Sequence, residues 1–442
     1  MINSSDYVKA IEGGIQPTQA VETKLYKRRW LILIIFVLYS ASNAMQWTQY
    51  CIITDIVKKY YSVSDTAVDM TSMIYMFTYI LFIFPASYFL DRFGLRYAVI
   101  LGALGTAVGS WIKVLSVSPD GFWITFLGHT LVALSQTFIL SVPARLAAVW
   151  FGPDQVSSAC SIGVFGNQLG IAIGFLFPPM LVRDSEDLNV IGQGLKLMFY
   201  IVAVFTLVIF VLTLLFFKNQ PSLPPSPAQA VREESERPED FLLSVKRLVT
   251  NTGYLLLLLS YAINVGIFYA IGTLLNPIVL VHFPGHHDDA GRIGLTIVCA
   301  GMLGSVVCGV VLDKTHKFKE TTLAIYIFSF LGMIIFTFTI GLDEIIIVYV
   351  TAGLLGFFMT GYLPVGFEFA AELTYPEPES TSAGLLNAVV QIFGILLILL
   401  YRHLFQIWGD YWANTVLCAT LFVGSFITYI IPNDLRRQNA KV

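Results

Sequence analysis

The sequence predicts an all-α membrane protein of twelve transmembrane helices, arranged as two pseudo-symmetric halves of six helices each. Three observations support this prediction. Of the 442 residues, 56% are hydrophobic and 12% are charged, whereas a soluble domain carries about 25% charged residues. Apolar segments near the roughly 20 residues that cross a bilayer as a helix recur along the whole chain. Distinctive residues in one half also recur in the other half at a fixed spacing.

Each apolar segment is expected to be a helix, because hydrocarbon offers the backbone no hydrogen-bond partners and an open sheet would leave its edges unsatisfied. The segments of the first half span residues 30–54, 67–90, 97–117, 122–147, 156–182 and 195–217. Those of the second half span residues 250–282, 291–312, 321–341, 345–372, 381–406 and 411–432.

A polar segment, residues 218–247, lies between the halves. It is rich in Pro and acidic residues and has too little apolar surface to build a domain, so it is interpreted as a cytoplasmic linker. The remaining divisions are an N-terminal tail at 1–29, a first bundle at 30–217, a second bundle at 248–432 and a C-terminal tail at 433–442.

Lys and Arg placement predicts the orientation. With both termini in the cytoplasm, 19 of the 26 basic residues lie on the cytoplasmic side, a bias strong enough to set topology. We expect a monomeric multi-pass protein of the plasma membrane.

The repeat has a spacing of 222 residues. Trp47 and Tyr269 are separated by it (269 − 47 = 222), and so are Asp91 and Asp313 (313 − 91 = 222). Both aromatic residues lie deep within the first segment of their half. This depth and symmetry favour a central cavity over the interfacial belt in which a single Trp or Tyr more often lies.

The acidic residues of the repeat close two apolar segments, each beside a basic cluster. Asp91-Arg92-Phe93-Gly94-Leu95-Arg96 ends the second segment of the first half, and Asp313 stands in the equivalent place. Asp91, Arg92 and Asp313 are therefore predicted to form a cytoplasmic latch that docks the halves together. The alternative is that these basic clusters only anchor the topology.

Amides and aromatic residues interrupt several apolar segments. A polar group at membrane depth usually faces the bundle interior or a cavity, although a Gln or Asn can also bond only to a neighbouring helix, at roughly 0.6 to 2 kcal/mol. The members considered for a substrate site are Gln136, Gln168, Phe268 and Gln391, together with Asn276 farther along the seventh segment.

This set has no fixed charge. Aromatic faces and amides without a carboxylate suit a small cation whose charged group has no hydrogen-bond donors, such as a quaternary ammonium. Gln136 or Gln391 could then hydrogen-bond a hydroxyl of the substrate. Without an acid to couple transport to protons, facilitated transport is the simplest mechanism.

Other functional classes lack support. No arrangement of residues resembles a catalytic site, a cofactor loop or a metal centre, so we expect no enzyme activity, no cofactor and no metal. The basic residues flank membrane helices and do not form a face for nucleic acid.

Six plus six segments with the Asp91–Arg96 loop resemble the major facilitator superfamily. Four longer segments closely resemble the feline leukaemia virus subgroup C receptor family within it; they span 141–152, 164–175, 290–297 and 356–370. The resemblance covers about Arg28 to Arg437 and implies an alternating-access transporter of choline, with ethanolamine as a second substrate. Haem export is an older, disputed implication.

The resemblance also implies residue roles. Trp47 and Tyr269 would form the aromatic walls of a cation-binding cage, Met76 would line it, and Gln136 and Gln391 would be polar contacts. An inner gate would pair Arg145 with Glu379. We further expect Asp69 and Asn276, near the outer ends of the second and seventh segments, to gate the outer side.

Two alternatives remain open. A haem exporter would need axial ligands, for which the loop containing His282, His286 and His287 is the clustered candidate. A surface receptor or sensor that binds its ligand without transporting it would share the same helices.

Overall fold

The computed structural model describes residues 22–152, 155–225, 229, 239–375, 377 and 379–439. In the first half the helices are α1 (Arg28–Ala44), α2 (Thr54–Tyr61), α3 (Asp65–Val114), α4 (Phe122–Gln136), α5 (Val142–Trp150), α6 (Val156–Leu181) and α7 (Leu188–Phe216). The second half contains α8 (Glu239–Thr250), α9 (Thr252–His282), α10 (His287–Thr315), α11 (Phe318–Thr339), α12 (Ile345–Thr374), α13 (Glu379–Trp408), α14 (Asp410–Ile430) and α15 (Arg436–Asn439).

The all-helical membrane architecture predicted from the sequence is confirmed. Among the described residues, nine helices are long and apolar enough to cross a bilayer. The predicted second and third segments correspond to two helices within α3, which meet at a sharp bend at Gly94. The predicted first and fourth segments are each broken into two shorter pieces, at turns of residues 45–50 and 137–141. Neither turn contains the Gly or Pro that would have marked a break within its predicted segment.

Gly94 occupies a backbone conformation that side chains disfavour. Its φ of +86° lies in the left-handed region, where glycine has no steric penalty. A Cβ at this position would also overlap the side chain of Asn219. Asn219 Oδ1 accepts a hydrogen bond from the Arg96 backbone at 3.3 Å. The glycine of the predicted loop motif therefore lets α3 turn tightly against the chain that follows α7.

We call the end of the bundle at Arg28 and Ile431 the terminal end, and the end at Ser62 and Gly409 the distal end. Part of the predicted linker is helical: α8 lies at the terminal end and runs across the predicted linker boundary. Its Leu248 is fully buried, and its Arg247 pairs with Glu377 at 3.2 Å. Apolar residues at helical spacing allow this segment to pack against the second half. Residues 230–238 lie outside the described part of the chain.

The buried apolar residues fall into two clusters. The larger one contains residues from both halves, including Trp47 and Met76 of the first and Ile271 and Leu274 of the second. The smaller one, with Phe36 as a central member, contains only residues of the first half that lie toward the terminal end. The halves therefore share a core on the distal side, whereas the terminal part of the first half has a core of its own.

Helices α10 and α12 approach each other closely because glycines face the partner backbone. A Cβ on Gly304 of α10 would overlap the carbonyl oxygen of Phe357, and one on Gly356 of α12 would lie 2.5 Å from the carbonyl oxygen of Ile297. Small residues at such crossings allow van der Waals packing between backbones, which is a main source of association between helices in lipid.

This packing predicts that Gly304→Ala destabilises the protein, although Ala is the better helix former. The added methyl must displace the α12 backbone, at a cost of about 1 to 3 kcal/mol. Thermal unfolding of the detergent-purified protein measures the effect. Gly309→Ala on the same helix is the control, because nothing lies within 4 Å of its Cβ position. Equal melting temperatures for the two variants would contradict the packing argument.

Candidate functional site

The aromatic residues related by the repeat meet at the interface between the halves. Trp47 lies on the turn that follows α1, and Tyr269 lies in the middle of α9. Their ring centroids are 5.4 Å apart at an interplanar angle of 68°, an edge-to-face contact. Trp47 is 6% exposed, and Tyr269 is half-buried. One ring from each half thus contributes to a single aromatic contact.

Neutral groups surround this pair. A Cβ on Gly394 of α13 would lie 3.0 Å from Met76 Sδ and 3.1 Å from Tyr269 Cδ2, so the glycine leaves room for both side chains. The Gln391 amide, one turn earlier on α13, is a hydrogen-bond partner of the Tyr269 hydroxyl. The Phe268 ring lies 6.2 Å from the Tyr269 ring. Thus, of the seven substrate-site residues predicted from the sequence, the structure brings five together: Trp47, Tyr269, Met76, Phe268 and Gln391.

The two rings fill the space between them in this conformation. Edge-to-face aromatic pairs have centroid separations of about 4.5 to 7 Å, and the observed separation lies within this range. A cation shared by both faces would have to lie where the rings now touch. Binding between them therefore requires the rings, and with them the two halves, to move apart.

Gln136 and Gln168 lie nearer the terminal end than the aromatic pair. Gln136 is the last residue of α4 and is half-buried; the carbonyl of its neighbour Ser135 accepts a hydrogen bond from Tyr39, two turns before Trp47. Gln168 on α6 is also half-buried, and its Oε1 lacks a hydrogen-bond partner among the described residues. Both amides lie along the terminal side of the site and not beside the rings.

An ion pair joins the halves on the distal side of the aromatic pair. Arg402 Nε and Nη2 donate to the two carboxylate oxygens of Asp69 at 2.6 and 2.9 Å. Asp69 is 1% exposed and Arg402 is 4% exposed. A bidentate, buried pair of this kind loses roughly 3 to 5 kcal/mol when one partner is removed, because the other charge is left uncompensated.

Further polar contacts between the halves accompany this ion pair. Asn276 Nδ2 donates to the Ile52 carbonyl at 2.9 Å and to Asp55 Oδ1 at 3.1 Å. The hydroxyls of Ser72 and Thr273 lie 2.7 Å apart. We call Asp69, Arg402, Asn276, Asp55, Ser72 and Thr273 the distal gate. These contacts join the two halves on the distal side in this structure, and Asp69 and Asn276, the residues predicted to gate the outer side, are among them.

A charged cluster covers the distal gate. His287 of the second half faces Asp55 at 3.1 Å and Asp184 at 3.6 Å. These three side chains offer ligand atoms within 4.8 Å of one another, but Lys59 also binds Asp184 at 2.7 Å, which places a positive group where a metal would need negative ones. The hydrogen bond from Lys59 lowers the pKa of the Asp184 carboxyl, and the same bond raises the pKa of Lys59. The Asp184 carboxylate therefore contributes fully to the stability of this cluster at a pH above the ordinary carboxyl pKa. That contribution is lost as the pH falls through the lowered pKa of Asp184.

At the terminal end the predicted latch residues make contacts within one half. Asp91 pairs with Arg145 of α5, and Arg92 reaches Tyr88 on the same helix at 3.5 Å. Asp313 is exposed near the end of α10. The side chain of Glu379 lies outside the described part of the structure, so the predicted pair with Arg145 stays a prediction. In this conformation Arg145 binds the latch aspartate of its own half.

Two basic residues near the distal ends of predicted segments are buried within the protein. Arg402 forms the buried ion pair of the distal gate, and Lys113 of α3 is 1% exposed, with its amino group on Gln46 Oε1 at 2.8 Å and Gln49 Oε1 at 3.0 Å. Both lie inside predicted segments, at 381–406 and 97–117. An ionisable residue within a membrane segment points to function by default, and this signal could have identified both.

Comparisons with known proteins agree with the architecture. The family model described as Major Facilitator Superfamily matches residues 31–398. The chain is 51% identical over 430 residues to "Choline/ethanolamine transporter flvcr2a" of Danio rerio, covering 97% of this chain and 92% of that protein. It is 47% identical over 431 residues to "Choline/ethanolamine transporter FLVCR1" of Felis catus, covering 97% and 77%. A bacterial homologue of the human lysosomal transporter Spinster, solved in an inward-facing and unoccupied conformation, superposes with a TM-score of 0.73 at 14% identity, covering 94% of this chain and 99% of that one. At that identity the likeness concerns the fold alone.

We predict that Asp69→Asn opens the distal end, because Arg402 would lose its bidentate partner and keep Asp65, which lies 3.8 Å away. Cys51, which is fully buried beside this gate, should then react faster with a membrane-impermeant maleimide, by about tenfold or more if a few kcal/mol of gate stability is lost. Labelling at Cys51 is measured by peptide mass spectrometry.

The exchanged pair Asp69→Arg/Arg402→Asp should restore slow labelling, and Asp120→Asn, at an exposed distal position, should leave it unchanged. Unaltered labelling of Asp69→Asn would show that this ion pair does not hold the distal end closed.

Proposed function

The chain belongs to the Major Facilitator Superfamily and, within it, to the feline leukaemia virus subgroup C receptor family, and on this basis we propose that it carries choline, with ethanolamine as a second substrate. It is a multi-pass membrane transporter and not an enzyme. We assign to it a facilitative, alternating-access mechanism in the plasma membrane, with both termini in the cytoplasm.

One observation carries the assignment of the site: Trp47 and Tyr269, from different halves, meet at 5.4 Å among neutral side chains. Aromatic faces bind a quaternary ammonium at about 0.5 to 2 kcal/mol each. The quaternary group has no N–H to donate, so it needs no carboxylate, whereas Gln391 could hold the hydroxyl of choline. The names of the relatives, which are 46 to 51% identical to this chain, support the same substrate class.

The transport cycle follows from the position of the site between the halves. With the distal gate closed, choline would reach the site from the terminal side, past Gln136 and Gln168. The ammonium would separate the two rings and then be enclosed by them as the halves rock. Opening toward the distal side requires the Asp69–Arg402 pair to break, while closure of the terminal side requires new contacts there, for which Arg145 and Glu379 are the candidates.

Membrane potential supplies the driving force for such a carrier. A monovalent cation that enters the cell gains about 2.3 kcal/mol per 100 mV of inside-negative potential. The buried acidic residue of the distal gate, Asp69, is bound by Arg402, so we assign it no role in proton coupling.

The histidines considered for the haem alternative each face a carboxylate: His282 lies 2.5 Å from Asp410, His286 lies 2.6 Å from Asp289, and His287 faces Asp55. Such a partner on one ring nitrogen is usual for a metal-ligating histidine, so haem export stays an alternative to choline transport. A receptor that binds choline without transporting it is distinguished from a carrier by a flux measurement.

We expect Trp47→Ala to abolish saturable choline uptake into proteoliposomes, since one wall of the site is lost. Trp47→Phe keeps a smaller aromatic face and should raise the choline KM by about 2- to 30-fold, which corresponds to 0.5 to 2 kcal/mol. Trp123→Ala is the control, because this Trp is 74% exposed. Undiminished uptake by Trp47→Ala would eliminate the aromatic site.

Facilitated transport is tested with the native protein in the same vesicles. An inside-negative potassium diffusion potential should accelerate choline uptake, and a pH gradient at constant potential should not. Binding of choline without any flux would favour the receptor, and uptake driven by the pH gradient alone would replace facilitation with proton coupling.

A further inference from the structure

The aromatic wall of the first half stands on an irregular piece of backbone. Helix α1 ends at Ala44, and residues 45–50 form a turn before a short 3-10 helix at Cys51–Ile53. Within the turn the amides bond three residues back: Trp47 N to Ala44 O at 3.1 Å and Gln49 N to Gln46 O at 3.4 Å. The sequence of the turn, Met-Gln-Trp-Thr-Gln-Tyr, has no Gly or Pro to impose it. Contacts from elsewhere in the fold must therefore fix where Trp47 lies.

Lys113 makes those contacts. Its amino group, on the far part of α3, donates to Gln46 Oε1 at 2.8 Å and to Gln49 Oε1 at 3.0 Å. It also lies 5.3 Å from the ring centroid of Tyr50. One side chain from α3 thus holds three residues of the turn, and two of them, Gln46 and Gln49, flank Trp47 on either side.

The orientation of this contact is fixed from the other side as well. Gln46 Nε2 donates to the Ser42 carbonyl at 3.1 Å and to Ser110 Oγ at 3.0 Å, so its oxygen is the atom left to face Lys113. Tyr50 is held by a hydrogen bond between its hydroxyl and that of Thr125. The turn is therefore braced against α3 and α4.

The Lys113 site is buried. Gln46, Tyr50 and Lys113 are each at most 1% exposed, and Gln49 is 2% exposed. Buried amide oxygens that lose their donor cost roughly 1 to 3 kcal/mol each in proteins, so the turn is favoured in the geometry that lets both oxygens reach the same nitrogen. Lysine suits this task, because its compact amino group presents several donors from one point.

We propose that Lys113 is a positioning residue for the substrate site: by binding Gln46 and Gln49 it sets the turn and directs the Trp47 ring toward Tyr269. The inference rests on the proposed cation site for its effect on choline, but the position of the ring can be measured without any substrate. In this proposal Lys113 acts through Gln46 and Gln49 and not on the choline itself.

The first measurement is the emission of Trp47, obtained as the difference between the tryptophan spectra of the native protein and Trp47→Phe. Lys113→Met has a similar length and no donor, so the turn should relax and the Trp47 emission should shift to longer wavelength as the ring leaves its buried contact. Lys113→Gln, which can still donate to one amide oxygen, should show a smaller shift. Lys196→Met, at an exposed position, is the matched control and should show none.

The second measurement is choline uptake at a range of concentrations. Lys113→Met should raise the choline KM by about tenfold with a smaller change in kcat per folded protein, and Lys113→Gln should recover part of the loss. In the Trp47→Phe background, the effect of Lys113→Met on KM should shrink to less than threefold, because the two residues act through the same ring. If Lys113 had only a structural role, Lys113→Met would lower the amount of folded protein but not change the choline KM of the molecules that fold. The effects of Lys113→Met and Trp47→Phe on KM would then be additive.

The outcomes separate the two proposals. A shifted emission with a raised KM supports both the positioning role and the aromatic site. A shifted emission with an unchanged KM supports the positioning role and overturns the aromatic site as the place where choline binds. An unshifted emission overturns the positioning role whatever the KM does. If Lys113→Met fails to fold, Lys113→Gln and Gln49→Met, each of which removes only part of the contact, decide the question by the same two measurements.

Discussion

Hydrocarbon supplies no hydrogen-bond or charged partner, so a charged side chain that this chain carries into the membrane needs a partner within the protein. The Asp69–Arg402 pair and the Lys113 site both satisfy this constraint, and each does so by tying together parts of the chain far apart in sequence. The first joins the two halves on the distal side, and the second joins α3 to the turn that carries Trp47. The polar residues of the membrane region thus organise the motion and the site, while packing of apolar residues fills the space between them.

Much of the fold follows from the sequence by simple arguments. Length, apolar content and the 222-residue repeat are enough to predict two halves of membrane helices, and the same repeat indicated Trp47 and Tyr269 as partners. The breaks in the predicted first and fourth segments could not be found in this way. They contain no Gly or Pro that would end a helix, so the backbone leaves the helix there because of tertiary contacts. Both breaks lie beside residues considered for the site, namely Trp47 and Gln136.

The positions of the charged residues in the sequence were also not enough to predict their partners. Lys113 and Arg402 stand near the ends of apolar segments, where a basic residue usually marks an interface with water. Only the fold reveals that the Arg402 guanidinium turns inward to Asp69 and that the Lys113 amino group turns inward to two amides. At the terminal end, similarly, the structure shows that Arg145 binds Asp91 of its own half.

The contact between the Trp47 and Tyr269 rings has a consequence for the membrane as an electrical insulator. A carrier with an empty, water-filled centre would let inorganic ions slip through whenever its gates fluctuate. Here the rings occupy the place proposed for a substrate, so apolar carbon fills the space between them. A sodium ion or a hydronium ion carries no methyl groups. It would therefore have to separate the rings without offering apolar contacts in place of the contact that the rings lose. The same two side chains proposed to attract an organic cation therefore insulate the bilayer in its absence.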